Sequence, residues 1–164
     1  MTDAVVFDLD GTLVHLPINY DRLFEEFRTI MKIQNIQPVT KTISDLDSKT
    51  RQRIFEVWDN AELQALQNKT VNNEGVEIYK RFLKQRKALV TMQGRRLVKE
   101  ALEQMRMRFD FVVTREDSLD RTEQLKLAAK KLGVDVRNVL FVGNTEGDSA
   151  AAAQLECMFM RVGK

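Results

Sequence analysis

The sequence is poor in cysteine, histidine and proline, and these shortages exclude several classes of protein. Its single cysteine, Cys157, excludes an internal disulfide framework and favours a reducing compartment. One histidine and one cysteine are too few for a structural zinc site. No proline-rich linker, repeat or low-complexity segment divides the chain. Apolar runs of membrane-spanning length and a basic, apolar signal segment are also lacking, so we expect a cytoplasmic protein without a membrane partner.

An excess of charge of one sign is lacking as well. The chain has 26 Lys and Arg residues and 24 Asp and Glu residues, well mixed along its length, for a net charge of +2. This balance gives no reason to require nucleic acid as a partner. With 164 residues, 43% of them hydrophobic, the chain can bury one core with a modest insertion, so we expect a single soluble domain.

Short runs of β-branched or aromatic residues recur between segments of helical periodicity. These runs cover residues 4–7, 87–91, 109–114, 138–142 and 157–162. Apolar residues repeat at helical spacing over residues 94–107 and 122–132, and Gly133 is expected to end the second of these helices. The alternation predicts an α/β fold, namely a doubly wound, Rossmann-like parallel sheet of about five strands with right-handed crossovers.

One segment breaks the alternation of strands and helices. Roughly seventy residues separate the first two predicted strands, which is far more than one crossover needs. Apolar stripes at helical spacing occupy residues 20–31 and 54–65 of this segment. We therefore predict an α/β core formed by residues 1–14 and 71–164, with a helical insertion over residues 15–70.

The most informative run is residues 5–14, Val-Val-Phe-Asp-Leu-Asp-Gly-Thr-Leu-Val, in which an apolar strand ends in two carboxylates and a glycine turn. In an open parallel sheet, ligands bind beyond the carboxyl ends of the strands. Because side chains alternate along a strand, Asp8 and Asp10 point to the same side and can share a metal ion and a phosphate. Asp-rich turns are often simple solvated caps, but the strand and the Gly-Thr that follows favour phosphoryl transfer.

A second strand, within residues 88–94, ends in a hydroxyl residue and a glycine. Thr91 can donate a hydrogen bond to a phosphate oxygen, and the backbone amides of Met92 and Gln93 could add further donors. A threonine at a strand end can also serve only as a turn former.

The first of these motifs closely resembles the DxDGT motif of the haloacid dehalogenase-like hydrolases, which residues 8–14 match without a departure. Thr91 stands where that family has Ser or Thr at the end of its second strand. Residues 143–148 resemble the family's GDxxxD motif, with Asp148 as the second acid and Asn144 in place of the first. The resemblance spans most of the chain outside the insertion, and it implies that the insertion forms a small helical cap over the active site.

The lysine that the family usually places shortly before a later helix is missing here. Arg121 is our replacement, with Asp120 expected as the N-cap of that helix and Glu123 as its capping-box partner. Its guanidinium would balance the phosphate and the Asp8 carboxylate, although its planar fork imposes a different geometry. Lys126 is the fallback candidate, and a surface ion pair is the alternative role for Arg121.

The resemblance further implies a Mg²⁺ site formed by Asp8, the backbone carbonyl of Asp10, and Asp148, with Asn144 as an additional candidate ligand. Asn144 removes one charge from the usual set, and hard divalent cations bind largely through charge, so we expect weaker metal affinity. Glu146 could compensate if its side chain turned inward.

Taken as a whole, the resemblance implies a Mg²⁺-dependent phosphatase that hydrolyses a small phosphomonoester through an aspartyl-phosphate intermediate. Asp8 would be the nucleophile, Asp10 the general acid and base, and Arg121 a further catalytic residue. Thr91, Met92 and Arg121 would bind the phosphate. A phosphomutase is an alternative within the same class.

Two further alternatives remain open at the level of sequence. The departures at Asn144 and Arg121 are compatible with a catalytically weak or inactive relative that serves as a binding or regulatory protein. The cap could be a mobile lid or a fixed buttress, and Phe55 and Trp58 could close it or form a dimer contact.

Overall fold

A computed structural model describes residues 2–163 of the chain. The strands are β1 (Ala4–Phe7), β2 (Val14–His15), β3 (Thr70–Val71), β4 (Lys87–Val90), β5 (Phe111–Val113), β6 (Val139–Gly143) and β7 (Met158–Arg161). The helices are α1 (Tyr20–Met31), α2 (Val39–Ser44), α3 (Ser48–Leu66), α4 (Asn73–Arg81), α5 (Arg95–Met105), α6 (Arg121–Leu132) and α7 (Glu146–Gln154), with a short 3-10 helix at Val136–Asn138.

Five of the strands form one parallel sheet in the order β5-β4-β1-β6-β7. The chain starts in the centre at β1, adds β4 and β5 on one side, and then crosses over to add β6 and β7 on the other. This confirms the predicted α/β class. The direction of winding reverses at β1, and a reversal of this kind opens a crevice beyond the strand ends in which ligands bind.

Strand β1 is apolar throughout because helices cover both faces of the sheet, as is usual for parallel sheets. Phe7 faces one helical layer, where its ring packs edge-on against Tyr79 of α4 with the centroids 6.0 Å apart. Val6 faces the opposite layer, which includes Leu125 of α6. Because each residue of β1 is fully buried, the residues that follow it are held firmly at the sheet edge.

The predicted helical insertion contains α1, α2 and α3. Most of their buried apolar residues form a separate cluster, whereas Ala65 and Leu66 at the end of α3 pack with the core. In this cluster the rings of Phe27 and Trp58 pack edge-on, with the centroids 5.6 Å apart. Strands β2 and β3 pair antiparallel at its base, with Val14 opposite Val71. This two-stranded ribbon was not predicted, because two-residue strands carry no detectable periodicity. The boundary between core and cap stays a prediction.

The start of α6 differs from its predicted capping box. The Asp120 side chain accepts from the Glu123 N–H at 3.1 Å, as expected of the N-cap. The prediction that the Glu123 carboxylate returns to the backbone of Asp120 is wrong, because this carboxylate pairs with Lys126 at 3.1 Å. The Asp120 N–H donates instead to the Ser118 hydroxyl, which is nearer in the chain.

No helix within residues 2–163 is long and apolar enough to cross a membrane.

Candidate active site

Asp8 lies directly beyond β1 and is almost completely buried, with 4% of its surface exposed. Its N–H donates to the Val142 carbonyl of β6, which extends the sheet pairing to this residue. One carboxylate oxygen accepts from Arg121 Nη2 at 3.0 Å, and the other lies 3.3 Å from the Thr12 hydroxyl. Burial raises the pKa of Asp8 to about 7, and the positive charge of Arg121 opposes that rise. A metal cation bound next to Asp8 would act in the same direction as Arg121 and lower the pKa of Asp8.

Asp10 lies two residues further along, in the turn that follows β1. One of its carboxylate oxygens accepts from the Leu16 N–H at 2.9 Å. Burial raises the pKa of Asp10, and the Leu16 hydrogen bond counteracts part of this effect. Gly11 makes the turn with φ at 86°, and a Cβ there would lie 2.2 Å from Asn144 Nδ2, so this position requires glycine on both counts.

Thr91 follows β4 and is fully buried. It begins the predicted phosphate-binding loop, residues 91–94. Its hydroxyl accepts from the Gln93 N–H at 3.1 Å and is also hydrogen-bonded to Gln93 Oε1. A phosphate oxygen that took the Thr91 hydroxyl would therefore have to displace the Gln93 side chain. Further along the loop, the Gly94 N–H donates to Glu62 of α3 at 3.0 Å, while Met92 remains half-buried.

Arg121 is the first residue of α6 and reaches across to β1, as the sequence predicts for a counter-ion of Asp8. Its Nε donates to Asp148 at 3.0 Å, its Nη2 to Asp8 at 3.0 Å, and its Nη1 to Gln124 at 2.7 Å. Lys126, the fallback candidate, pairs with Glu123 on the exposed side of the helix and lies outside the site. Arg121 is therefore the cation that joins Asp8 of the DxDGT-like motif to Asp148 of the GDxxxD-like motif.

The GDxxxD-like motif, residues 143–148, begins at the last residue of β6, the strand next to β1 in the sheet. Asp148 is 3% exposed, and its second oxygen accepts from the backbone N–H groups of Asn144 at 3.1 Å and Thr145 at 3.3 Å. The Asn144 amide oxygen lies 3.3 Å from the Thr12 hydroxyl, which also neighbours Asp8. Glu146 does not turn inward, since it pairs with Arg161 on the surface at 2.6 Å.

The residues predicted to hold Mg²⁺ fit that ion in their chemistry. Asp8 and Asp148 contact the same guanidinium, and Asn144 approaches Asp8 through the Thr12 hydroxyl. Mg²⁺ takes oxygen ligands, keeps several waters and needs only one or two carboxylates. Within residues 2–163 no group of three or more His, Cys, Asp or Glu side chains is placed to hold a metal ion, so a set that binds Mg²⁺ here would have to include an amide or a backbone oxygen.

A buried ion pair that the sequence did not predict joins α3 to the loop after β5. The side chain of Arg115 is fully buried, donates to Glu62 at 2.8 Å, and pairs with Asp59. The guanidinium carbon also lies 4.3 Å from the centre of the Trp58 ring, and Nη1 donates to the Met92 carbonyl at 3.2 Å. Burial raises the pKa of Glu62, and the Arg115 charge acts against this rise.

Two signals in the sequence could have revealed the missed residues. Glu62 follows Trp58 by four positions and Ile54 by eight, so it is a charge within an apolar helical stripe. Gln124, which is also fully buried, follows Arg121 by three positions and therefore lies on the same side of α6. A polar side chain on a buried helical face requires a partner, and both residues have one.

Solved structures with the same fold include several hydrolases. A hydrolase from Pseudomonas syringae aligns with a TM-score of 0.69 at 18% identity, covering 96% of this chain and 82% of its own. CbbY from Rhodobacter sphaeroides, in complex with phosphate, aligns with a TM-score of 0.70 at 14% identity, covering 100% of this chain and 87% of its own. A predicted phosphatase from Clostridium acetobutylicum aligns with a TM-score of 0.67 at 15% identity, covering 98% of this chain and 84% of its own.

A search of curated proteins finds no match to this chain. A profile of the haloacid dehalogenase-like hydrolases, in contrast, matches residues 2–156. That match includes every candidate residue of the site, from Asp8 to Asp148, together with the whole insertion. The chain therefore belongs to the haloacid dehalogenase-like hydrolases.

Proposed function

We propose that the protein is a Mg²⁺-dependent phosphatase that hydrolyses a small phosphomonoester through an aspartyl-phosphate on Asp8. The observation that carries this proposal is the contact of one guanidinium, that of Arg121, with both Asp8 and Asp148. A buried carboxylate beside a cation at the end of the central strand suits attack on an anionic phosphoryl group. The likeness to CbbY with bound phosphate and to the predicted phosphatase from Clostridium acetobutylicum is in keeping with this reaction.

Asp8 would attack phosphorus with one carboxylate oxygen and form the acyl phosphate as the alkoxide leaves. The positive charge of Arg121 offsets the negative charge that accumulates on the phosphoryl group. Three of its N–H groups contact Asp8, Asp148 and Gln124. A guanidinium has five N–H donors, so two remain for phosphoryl oxygens. The backbone amide of Met92 and the hydroxyl of Thr91 would complete the phosphate site.

Asp10 would protonate the leaving alkoxide and then remove a proton from the water that hydrolyses the intermediate. The Leu16 N–H fixes one of its carboxylate oxygens and leaves the other for the proton. General acid and base catalysis of this kind contributes about 10²- to 10⁴-fold to the rate. Asp10 therefore acts in both half-reactions from a single position.

Asp8, the carbonyl of Asp10, Asp148 and Asn144 would hold the metal ion. When bound, Mg²⁺ supplies positive charge that reduces the repulsion between the Asp8 carboxylate and the phosphate. The residues of the chain orient the two anions and move the protons.

Removal of the metal is expected to stop turnover reversibly. We expect the purified protein to release phosphate from an aryl phosphate in millimolar Mg²⁺, and to lose at least about 100-fold of this rate in excess EDTA. Returning Mg²⁺ should restore the rate, which serves as the control for unfolding. Turnover that is equally fast in EDTA would contradict the metal requirement.

A catalytically inactive binding protein is the second candidate, and the hydrogen bond of the Thr91 hydroxyl with Gln93 is the observation that favours it. A phosphate-binding hydroxyl that is already occupied suits a weak or absent turnover. The two candidates differ in a simple way: an inactive protein would bind inorganic phosphate in calorimetry but release none from any of a panel of phosphomonoesters, with or without Mg²⁺.

Replacing Asn144 with aspartate is expected to strengthen metal binding. A carboxylate at this position would add a third negative charge beside Asp8 and Asp148, and hard cations bind through charge. We expect the Mg²⁺ concentration that gives half-maximal turnover to fall by about tenfold, equivalent to about 1.4 kcal/mol. Without Mg²⁺ the variant should melt at a lower temperature than the wild type, because the added charge is unbalanced.

Asn144→Ser is the matched control for this prediction. It keeps a small polar side chain that adds no charge, so its Mg²⁺ requirement should not fall. An unchanged or higher Mg²⁺ requirement in Asn144→Asp would show that Asn144 does not face the metal ion.

A further inference from the structure

We propose that Gln124 is a positioning residue that sets Arg121 against Asp8 and Asp148 and ties it to the phosphate-binding loop at Thr91. This inference rests on the proposed function. Its basis is the set of hydrogen bonds made by the side-chain amide of Gln124, which contacts both Arg121 and Thr91. The side chain is fully buried behind these residues.

Every polar group of the Gln124 side chain is engaged. Its oxygen accepts from Arg121 Nη1 at 2.7 Å, while its nitrogen donates to the carbonyls of Thr91 at 2.9 Å and Ser118 at 2.8 Å. The orientation of the amide follows from these partners, because carbonyls require donors and a guanidinium requires an acceptor. A side chain fixed at three points in a buried site has little freedom to move.

Arg121 needs such a partner more than a lysine would. Its guanidinium is a rigid plane, and its three nitrogens contact Asp148, Asp8 and Gln124 in turn. A lysine ammonium is a compact charge that can serve two carboxylates without a defined plane. The contact with Gln124 therefore stops the guanidinium from rotating in its plane away from Asp8.

The same amide reaches the loop after β4. The Thr91 carbonyl accepts from Gln124, and the Thr91 N–H donates to the Val113 carbonyl of β5 at 3.0 Å. Gln124 thus sets the spacing between Arg121 and Thr91, which are both proposed to bind the phosphate. Small errors in such a spacing lower rates strongly, because the reacting groups must be aligned to within fractions of an ångström.

The test is a double-mutant cycle between Gln124→Met and Arg121→Lys, read as kcat/KM for an aryl phosphate. Gln124→Met keeps the length of the side chain but removes its donors and its acceptor, and we expect a loss of about 30- to 100-fold in the Arg121 background. In the Arg121→Lys background the contact with Nη1 no longer exists, so the same replacement should cost about threefold or less.

Two controls separate positioning from folding. Leu125→Met alters the neighbouring buried residue of α6 without touching the site, and it should leave kcat/KM within about twofold of the wild type. Melting temperatures are measured for all variants. If Gln124→Met does not fold, Gln124→Asn carries the same cycle, because it keeps an amide but is one methylene group too short to span the contacts.

The outcomes distinguish this inference from the proposed function. Equal losses from Gln124→Met in both backgrounds would overturn the positioning role, because the effect would then be independent of Arg121. The cycle is also read as the affinity for inorganic phosphate by calorimetry. Coupling in phosphate affinity without turnover by the wild type would overturn the phosphatase and support the positioning role, whereas a wild type that neither turns over substrate nor binds phosphate would overturn both.

Discussion

Asp8→Asn is expected to abolish phosphate release, with a loss of at least about 10⁴-fold in kcat. The amide has nearly the same shape as the carboxylate, but it is a poor nucleophile and cannot form the aspartyl-phosphate. The variant should fold normally, because the hydrogen bond from Arg121 to Oδ1 of residue 8 can still be made to the amide oxygen. The measurement is phosphate release at saturating Mg²⁺, together with the melting temperature.

Asp10→Asn is the matched control, since it makes the same chemical change two residues away. Loss of the general acid and base should cost about 10²- to 10⁴-fold, and the acyl phosphate on Asp8 should still form with a substrate whose leaving group needs no proton. Mass spectrometry of the intact Asp8→Asn protein checks that the amide has not reverted to aspartate. Asp8→Asn turning over at more than about 1% of the wild-type rate would place the nucleophile elsewhere.

The sheet and the strand-end residues could be predicted because their signals are local. The strand β1 is an unbroken apolar run, and Asp8 and Asp10 follow it directly, so their place at the sheet edge follows from the class of fold. Arg121 could be placed through its helix start, since Asp120 is an ordinary N-cap residue. Its two carboxylate partners are the ones that the motifs had already singled out.

The contacts that the sequence did not predict are non-local or depend on side-chain orientation. Arg115 pairs with Glu62, which lies 53 residues earlier, and no periodicity links the two. The hydrogen bond between Thr91 and Gln93 depends on a choice of rotamer that a motif does not specify. The inward or outward direction of Glu146 was equally undetermined, and its partner Arg161 lies on a separate strand.

The buried ion pair bears on the two roles left open for the cap. Glu62 of α3 accepts from the Gly94 N–H, and Arg115 donates to the Met92 carbonyl, so both partners also contact the loop that is proposed to bind phosphate. Moving α3 away would expose or separate two buried charges, which is costly. The arrangement favours a fixed buttress over a mobile lid at this side of the cap.

Arg115→Met is expected to lower the free energy of unfolding by about 3–5 kcal/mol, because Glu62 is left as a buried charge without its partner. Burial raises the pKa of Glu62 to about 7 even beside Arg115, whose charge lowers it, so removing the arginine raises it further. A carboxyl whose pKa is raised by folding binds its proton more tightly in the folded state, so it destabilises the fold progressively as pH rises from about 4.5. The deficit of Arg115→Met should therefore be smaller at pH 5 than at pH 8, as measured by urea unfolding at both values.

Arg95→Met is the matched control, because Arg95 pairs with Asp117 on the surface and should contribute less than about 1 kcal/mol. The double variant Glu62→Leu/Arg115→Met removes both charges of the Arg115–Glu62 pair and should regain part of the lost stability, since apolar side chains can replace a buried ion pair. Asp59 also loses its partner Arg115 in this variant, but its side chain is 13% exposed and keeps contact with water. It should not regain turnover, because the Gly94 N–H and the Met92 carbonyl lose the side chains that hold the loop proposed to bind phosphate. If the double variant regained both stability and turnover, the ion pair would serve folding alone, and the cap would have no part in placing that loop.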